Sequence, residues 1–240
     1  MRQKIHKRKV SFSKIQFLTF ICIFAATGGY WLLSSHAATI WYVSTSGSGT
    51  VCSQAQPCAS FDQAYQNAST GDTVQVAAGT YSSQSISSSN ANISGMVTFQ
   101  PCNGCSVIVQ GISISSPWIT INNMTSYPGD NHEVKTGPNQ ALGVMVSSSN
   151  VTLNNVNSKG AYVWDMIYNS TNIIWNGGEV LTPGVVGLRD CLGTDNDQLP
   201  LSILGGTNIT LDSMHFHVAA SSQQACTNGN QSSNGVHLEM

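Results

Sequence analysis

The chain has 240 residues and a formal net charge of −2; only 8% of its residues are charged, whereas 41% are hydrophobic. Disordered chains combine low hydrophobicity with high charge, so this balance excludes a largely unfolded protein. Six of the nine Lys and Arg fall within the first fourteen residues, and the remainder sets three of them against eleven carboxylates, a net of −8 with no basic patch. That distribution argues against nucleic acid as a partner, and a polyanionic ligand would need intervening cations.

Residues 1–14 form a basic leader, and 15–33 are mostly apolar, with Phe17, Leu18, Phe20, Ile21, Ile23, Phe24, Trp31 and Leu33. Ser35-His36-Ala37 follows with small residues at both cleavage-determining positions. Residues 1–37 therefore read as a signal peptide, or as a signal anchor if uncleaved, since the apolar run is near the lower limit for a membrane span. Either way the basic flank directs the rest outside, giving a secreted protein or one anchored at the cell surface through 15–33 alone.

Export bears on the cysteines. Beyond Cys22 in the leader, Cys52, Cys58, Cys102, Cys105, Cys191 and Cys226 make an even number suited to an oxidising compartment. Fifteen connectivities are possible; local pairing gives Cys52 with Cys58, Cys102 with Cys105 and Cys191 with Cys226. Cys102-Asn103-Gly104-Cys105 also has the spacing of a redox or zinc motif, but neither a βαβ context nor a second ligand pair accompanies it.

The domain proper is expected over 38–240, with a capping segment at 38–70 and coils over 71–240. Tyr42-Val43-Ser44 reads as a first strand. Ser60-Phe61-Asp62-Gln63 has capping-box form, and a helix over 61–68 places Phe61, Ala64, Tyr65 and Ala68 on one face, a lid for the open end of a solenoid.

From residue 71 onward one phrase recurs. Asn150-Val151-Thr152-Leu153-Asn154-Asn155-Val156 has relatives beginning at Trp118, Asn172 and Asn208, and shorter ones around Val74 and Val97. The first apolar residues stand at 74, 97, 119, 151, 173 and 209, separated by 23, 22, 32, 22 and 36 residues. β-branched residues alternate in-out-in, which is a strand with one buried face. The inward columns predict a core of Ile119, Ile121, Val151, Leu153, Ile173, Trp175, Ile209 and Leu211. The fourth position reads Asn122, Asn154, Asn176 and Asp212, residues that tolerate left-handed backbone, so a turn with a side-chain ladder is expected there. A unit of about 22 residues that cannot bury its own apolar face must stack on its neighbours. The fold class is all-β, a right-handed single-stranded parallel β-helix with a short N-terminal capping helix. Asn234-Gly235-Val236-His237-Leu238-Glu239-Met240 resembles the start of an earlier coil without the phrase that follows it, so the last coil is expected to be incomplete.

Tyr42-Val43-Ser44, Ser60-Phe61-Asp62-Gln63-Ala64, Gly71-Asp72-Thr73-Val74-Gln75-Val76 and Gly79-Thr80-Tyr81 together resemble the N-terminal signature of the pectate-lyase-like superfamily. That resemblance implies a secreted right-handed β-helix. It leaves activity open among lyases, glycoside hydrolases, epimerases, esterases and non-catalytic adhesins. The Asn-Thr-Asp, Gly-His-Gly and Arg-Ile-Lys triplets of the polygalacturonase branch are absent from the sequence.

Three segments, 128–139, 188–200 and 218–234, interrupt the coils after the phrase and before the next apolar strand, so they should leave along one edge. They hold Asp130, Glu133, Asp190, Asp195 and Asp197, five of the eleven carboxylates. Loops also simply tolerate charge. A further outward column, Thr125, Asn157, Glu179 and His215, sets Glu179 beside His215, with His217 over Leu181 and Lys159. A carboxylate beside a histidine is either an oriented general base or an ordinary surface pair. The candidate catalytic residues are Glu179, His215 and Asp190, and those for substrate binding are Trp118, Trp164 and Arg189, with Tyr162 and Tyr168 as further exposed aromatics. Asp195 and Asp197 are candidate ligands for Ca²⁺, although the EF-hand pattern is missing. The expected ligand is a polysaccharide or glycan, bound or cleaved by a monomer; a surface protein without turnover is the rival reading.

Overall fold

The structure is a computed structural model and describes residues 37–129, 142–160, 164–183, 201–219 and 236–239. Among these residues seventeen strands and one helix are defined. They are β1 (Ile40–Val43), α1 (Phe61–Asn67), β2 (Thr73–Val76), β3 (Gly79–Tyr81), β4 (Gln84–Ile86), β5 (Val97–Pro101), β6 (Val107–Val109), β7 (Ile112–Ile114), β8 (Ile119–Asn122), β9 (Thr125–Ser126), β10 (Leu142–Val146), β11 (Ser149–Asn154), β12 (Asn157–Lys159), β13 (Trp164–Asn176), β14 (Glu179–Pro183), β15 (Leu201–Asp212), β16 (His215–Ala219) and β17 (Val236–Glu239).

Every named pairing is parallel, and the chain visits three stacks in turn. The first sheet runs β1, β2, β5, β8, β11 and the C-terminal halves of β13 and β15. The second runs β3, β6, β9, β12, β14 and β16. The third runs β4, β7, β10 and the N-terminal halves of β13 and β15, then β17. Three all-parallel stacks visited cyclically are the arrangement of a parallel β-helix. Burial explains it: Val97, Ile119, Val151 and Ile173 form one fully buried column, and Phe99, Ile121, Leu153 and Trp175 form the next. No single coil encloses these side chains, so neighbouring coils must cover them.

The repeat register holds from Val97 through Ile119, Val151, Ile173 and Ile209. It differs at the first step. Val74 pairs with Phe99, and Thr73 with Thr98, so β2 and β5 are offset by 25 residues, not 23. Ile209 and Leu211 are partly buried, unlike the other predicted core residues. Among the described residues, β17 covers only Leu201 to Leu204 of β15, which leaves the half carrying Ile209 and Leu211 open on that side.

The corners are built on left-handed residues. Between the first and second sheets these are Asn123, Asn155, Gly177 and Ser213, with φ of 54°, 50°, 66° and 54°. The turn therefore falls one residue after the predicted Asn column; Asn122, Asn154, Asn176 and Asp212 are the last residues of their strands. Both columns stack. Asn154 Nδ2 donates to Asn122 Oδ1 at 2.9 Å, and Asn155 Nδ2 to Asn123 Oδ1 at 3.2 Å. A third ladder stands at the corner entering the first sheet. There Asn150, Asn172 and Asn208 have φ near 60°, Asn172 donates to Asn150 at 2.9 Å, and Asn208 donates to Asn172 at 2.7 Å. Asn adopts this backbone region at low cost, and its amide gives each coil both a donor and an acceptor for its neighbours.

α1 carries its predicted face: Phe61, Ala64, Tyr65 and Ala68 are fully buried. Phe61 packs on Phe99 and Tyr81, with ring centroids 5.4 and 6.0 Å apart. Only half of the capping box forms. Ser60 Oγ accepts from Gln63 N at 3.1 Å, but Gln63 Nε2 reaches Asn67, and the Phe61 amide donates to Gln84 Oε1 at 2.9 Å. Asp72, in the Gly71-Asp72-Thr73 signature, is buried and ties this end together, its carboxylate accepting from Thr39 N, Ser69 N and Trp41 Nε1 at 2.8 to 2.9 Å. The disulfides Cys52–Cys58 and Cys102–Cys105 are formed. Cys191 and Cys226 lie outside the described residues.

Candidate functional site

The outward face of the second sheet gathers the chemistry-bearing side chains. Thr125, Asn157, Glu179 and His215 occupy one register column. Two residues on, Lys159, Leu181 and His217 form the next. Strand geometry dictates this, because alternate residues of β12, β14 and β16 face outward while Ser158 and Val180 point into the core. Asn157 Oδ1 accepts the Glu179 amide at 3.0 Å. Lys159 Nζ lies 3.1 Å from Glu179 Oε2, both side chains being about one-third exposed, at 37% and 32%. Glu179 thus has a cation diagonal to it and a histidine beside it. An ion pair this exposed adds about 0–1 kcal/mol to stability, so it is better read as a fixed pair of charges than as a prop.

An open concavity of about 460 Å³ lies against this row, lined by Ser106, Ile108, Thr125, Tyr127, Lys159, Gly160 and Leu181. It has an aromatic ring, a cation, hydroxyls and aliphatic floor, the mixture that a sugar ring meets when it stacks and hydrogen-bonds at once. Tyr127 was not singled out from the sequence. Its signal was its position, two residues after Thr125 on the same outward face.

The other candidates scatter. Trp118 sits with φ 63° at the corner entering the first sheet, half-buried, so the whole of β8 separates it from the Glu179 column. Its main chain spans two coils, the amide donating to Ser149 O and the carbonyl accepting from Val97 N. Trp164 begins β13 on the third sheet, and its side chain lies outside the described residues. Tyr168 is exposed on the same strand. Trp175 is core, as its inward column predicts. Tyr162, Arg189, Asp190, Asp195 and Asp197 lie outside the described residues. The segments that hold the predicted acidic loops join β9 to β10, β14 to β15 and β16 to β17, in each case the second sheet to the third. Among the described residues no three His, Cys, Asp or Glu side chains gather as a metal site, and no helix is long and apolar enough to cross a membrane.

No family model and no curated protein matches the chain. Among solved structures, a rhamnogalacturonan lyase is similar with a TM-score of 0.42 and 11% identity, over 83% of this chain and 62% of that one. The chain therefore spans less than two thirds of that protein's length.

One ionisable residue escaped the sequence reading altogether. Asp165 is fully buried on the inner face of β13. Its Oδ1 accepts from Val144 N at 2.6 Å and from Ser158 Oγ at 2.7 Å, while Oδ2 has no hydrogen-bond partner among the described residues. Burial drives its pKa up to about 7 against the opposing pull of the Ser158 and Val144 hydrogen bonds. Nothing in Val163-Trp164-Asp165-Met166-Ile167 except an inward parity marks it.

Proposed function

We propose that this chain is an extracellular β-helix protein that binds a polysaccharide across the outer face of its second sheet and acts on it there as a lyase or glycoside hydrolase. The observation that carries the reading is the Lys159–Glu179 pair beside the concavity lined by Tyr127 and Leu181. A sheet of stacked coils offers a long ligand the same column again every 4.8 Å or so. In the proposed arrangement the solenoid is right-handed, as parallel crossovers nearly always are, and α1 is its lid. Residues 1–37 direct export or anchor the chain, in keeping with two disulfides suited to an oxidising compartment.

Of the two chemistries, elimination suits the row better. A lyase removes the proton from the carbon beside a sugar carboxylate, and the glycosidic C–O bond on the next carbon breaks as the C=C bond forms, the departing oxygen taking a proton from solvent. Lys159 is the candidate cation to stabilise that carboxylate, and His215, in register with Glu179, is the candidate base. Glycoside hydrolysis requires two carboxyl groups roughly 5 to 9.5 Å apart. Asp190 is the candidate for the second, and calcium held by Asp195 and Asp197 is the candidate bridge to an acidic ligand.

The test is a panel of plant and bacterial polysaccharides assayed for reducing ends and for unsaturated products, with and without Ca²⁺. Loss of unsaturated product in Lys159→Ala and His215→Ala, with melting unchanged, supports the lyase. Binding to a glycan array without any product, and unaltered by Asp195→Ala or Asp197→Ala, supports the second reading, a surface protein that only binds. Neither binding nor product refutes both.

A further inference from the structure

The third sheet contains a β-bulge whose unpaired groups are met by buried side chains. Between β10 and β13 the register moves from Leu142 opposite Trp164 to Met145 opposite Met166, so Gly143 and Val144 together face Asp165. A bulge leaves backbone groups outside the ladder. Here the Val144 amide donates to Asp165 Oδ1, and the Gly143 carbonyl accepts from the buried Ser126 Oγ. Ser158 Oγ donates to the same Asp165 oxygen. Ser126 and Ser158 come from the second sheet and Asp165 from the third, so this polar layer joins the two sheets inside the solenoid.

Among the described residues the layer is neutral apart from the carboxyl. β9 presents Ser126 to it, β12 presents Ser158, β14 places Val180 in the core, β10 offers Gly143 and Val144, and β15 sets Leu201 opposite Asp165 in register. Lys159 and Glu179, the nearest charges in sequence, lie on the outward face of the second sheet. Among the described residues no cation faces Asp165, and Oδ2 meets no donor. A carboxylic acid tolerates that position far better than a carboxylate, because an isolated buried charge has no compensation.

We propose that Asp165 is a proton-operated lock on the third sheet: neutral, it closes the bulge at Gly143 and Val144, and ionised, it draws water in and loosens the first residues of β10, β13 and β15. Ionisation on passing through neutral pH therefore sets how firmly these strand starts are held. The lock holds whatever ligand the second sheet takes.

The sign of the effect is fixed. The folded chain holds the Asp165 proton more tightly than the unfolded chain, so the stabilisation is complete below the ordinary aspartate range and is lost as pH rises through about 7. The experiment compares the full chain with Asp165→Asn, whose amide keeps the shape and both Oδ1 contacts but cannot ionise. From about pH 5.5 to about pH 8.5 the wild-type melting temperature should fall by about 5 °C more than that of the variant. After correction for intrinsic chemistry, exchange at the Val144 amide should rise about tenfold over the same range in the wild type alone. Parallel curves for the two proteins overturn the lock. Should Asp165→Asn not fold, the carboxyl-carbon resonance of Asp165 in the wild type decides: a midpoint near 7 supports the proposal, and one below about 5 overturns it.

Discussion

The indole N–H of Trp175 donates to the carbonyl of Val156, 3.3 Å away on the preceding coil. Trp175 is the largest fully buried side chain, and it belongs to the coil whose corner is Gly177-Gly178. In the other coils the second corner position is Met124, Val156 or Met214, each directed toward the core. Gly178 places nothing there, and the tryptophan supplies the missing volume together with a partner for the carbonyl. Trp175→Leu should therefore cost about 3 kcal/mol or more, through both a cavity and a lost hydrogen bond. Urea unfolding with an unchanged m-value measures it.

Gly178 is itself constrained. Its φ is 105°, and a Cβ there would overlap the carbonyl of Val156. Gly178→Ala should destabilise by more than the 1 kcal/mol or so of an ordinary glycine site, since neither backbone can yield without moving a coil. A variant that melts within a degree of the wild type contradicts this geometry.

The exposed corner asparagines should tolerate glycine better than branched residues. Asn172, with φ 59°, stands between Asn150 and Asn208 in the ladder. Asn172→Gly keeps the backbone and loses the amide bonds, a loss of about 1 kcal/mol. Asn172→Val forces a β-branched residue into the left-handed region and should lose about 1–2 kcal/mol more. Paired thermal melts give the difference directly.

Acid should act in the opposite sense to the Asp165 effect. Burial alone would raise the Asp62 pKa, but hydrogen bonds from Ser88 Oγ, the Ser87 and Ser88 amides and Gln66 outweigh it, and the net shift is downward. A lowered pKa contributes stability above the ordinary aspartate range and loses it as pH falls through the folded value. Asp62→Asn should therefore flatten the acid limb of the stability profile while leaving the neutral limb intact. Melting curves from about pH 2 to about pH 6 show whether it does.

Opening the loop at Cys52–Cys58 should also be measurable. The two residues are fully buried, and their backbones pair with Tyr42 and Ser44, so the bridge closes a short loop that is bonded to β1. Replacing both by serine should cost about 2 kcal/mol, the closure entropy of so short a loop. Retention of full stability in a reducing buffer contradicts it.

The alternation of Val, Ile, Leu and Phe carried most of the fold, because a parallel stack needs one buried face in every coil. Its failures have the same origin. Shifting β5 by two residues against β2 keeps every side chain on its proper face, so the pattern alone does not distinguish Val97 from Phe99 as the partner of Val74. Asn154 and Asn155 are chemically alike, and only φ shows which of them turns the corner. The bulge at Gly143 leaves no trace in composition, and without it the inward Asp165 reads as a flaw in a strand. Of the candidate site, the Glu179 and His215 column was legible from spacing. The Lys159 ion pair was not, since it runs diagonally between columns, and neither was Tyr127.

The stacking of coils also sets how far a substitution is felt. Leu153 touches the coils of Ile121 and Trp175 through its ladder but lies two coils from Phe99 and two from Leu211. Double-mutant cycles should return coupling between residues on adjacent coils and simple additivity beyond the next one. Sequence drift at the α1 end is thus energetically insulated from the row of Lys159, Glu179 and His215, and the two ends of the molecule can vary independently.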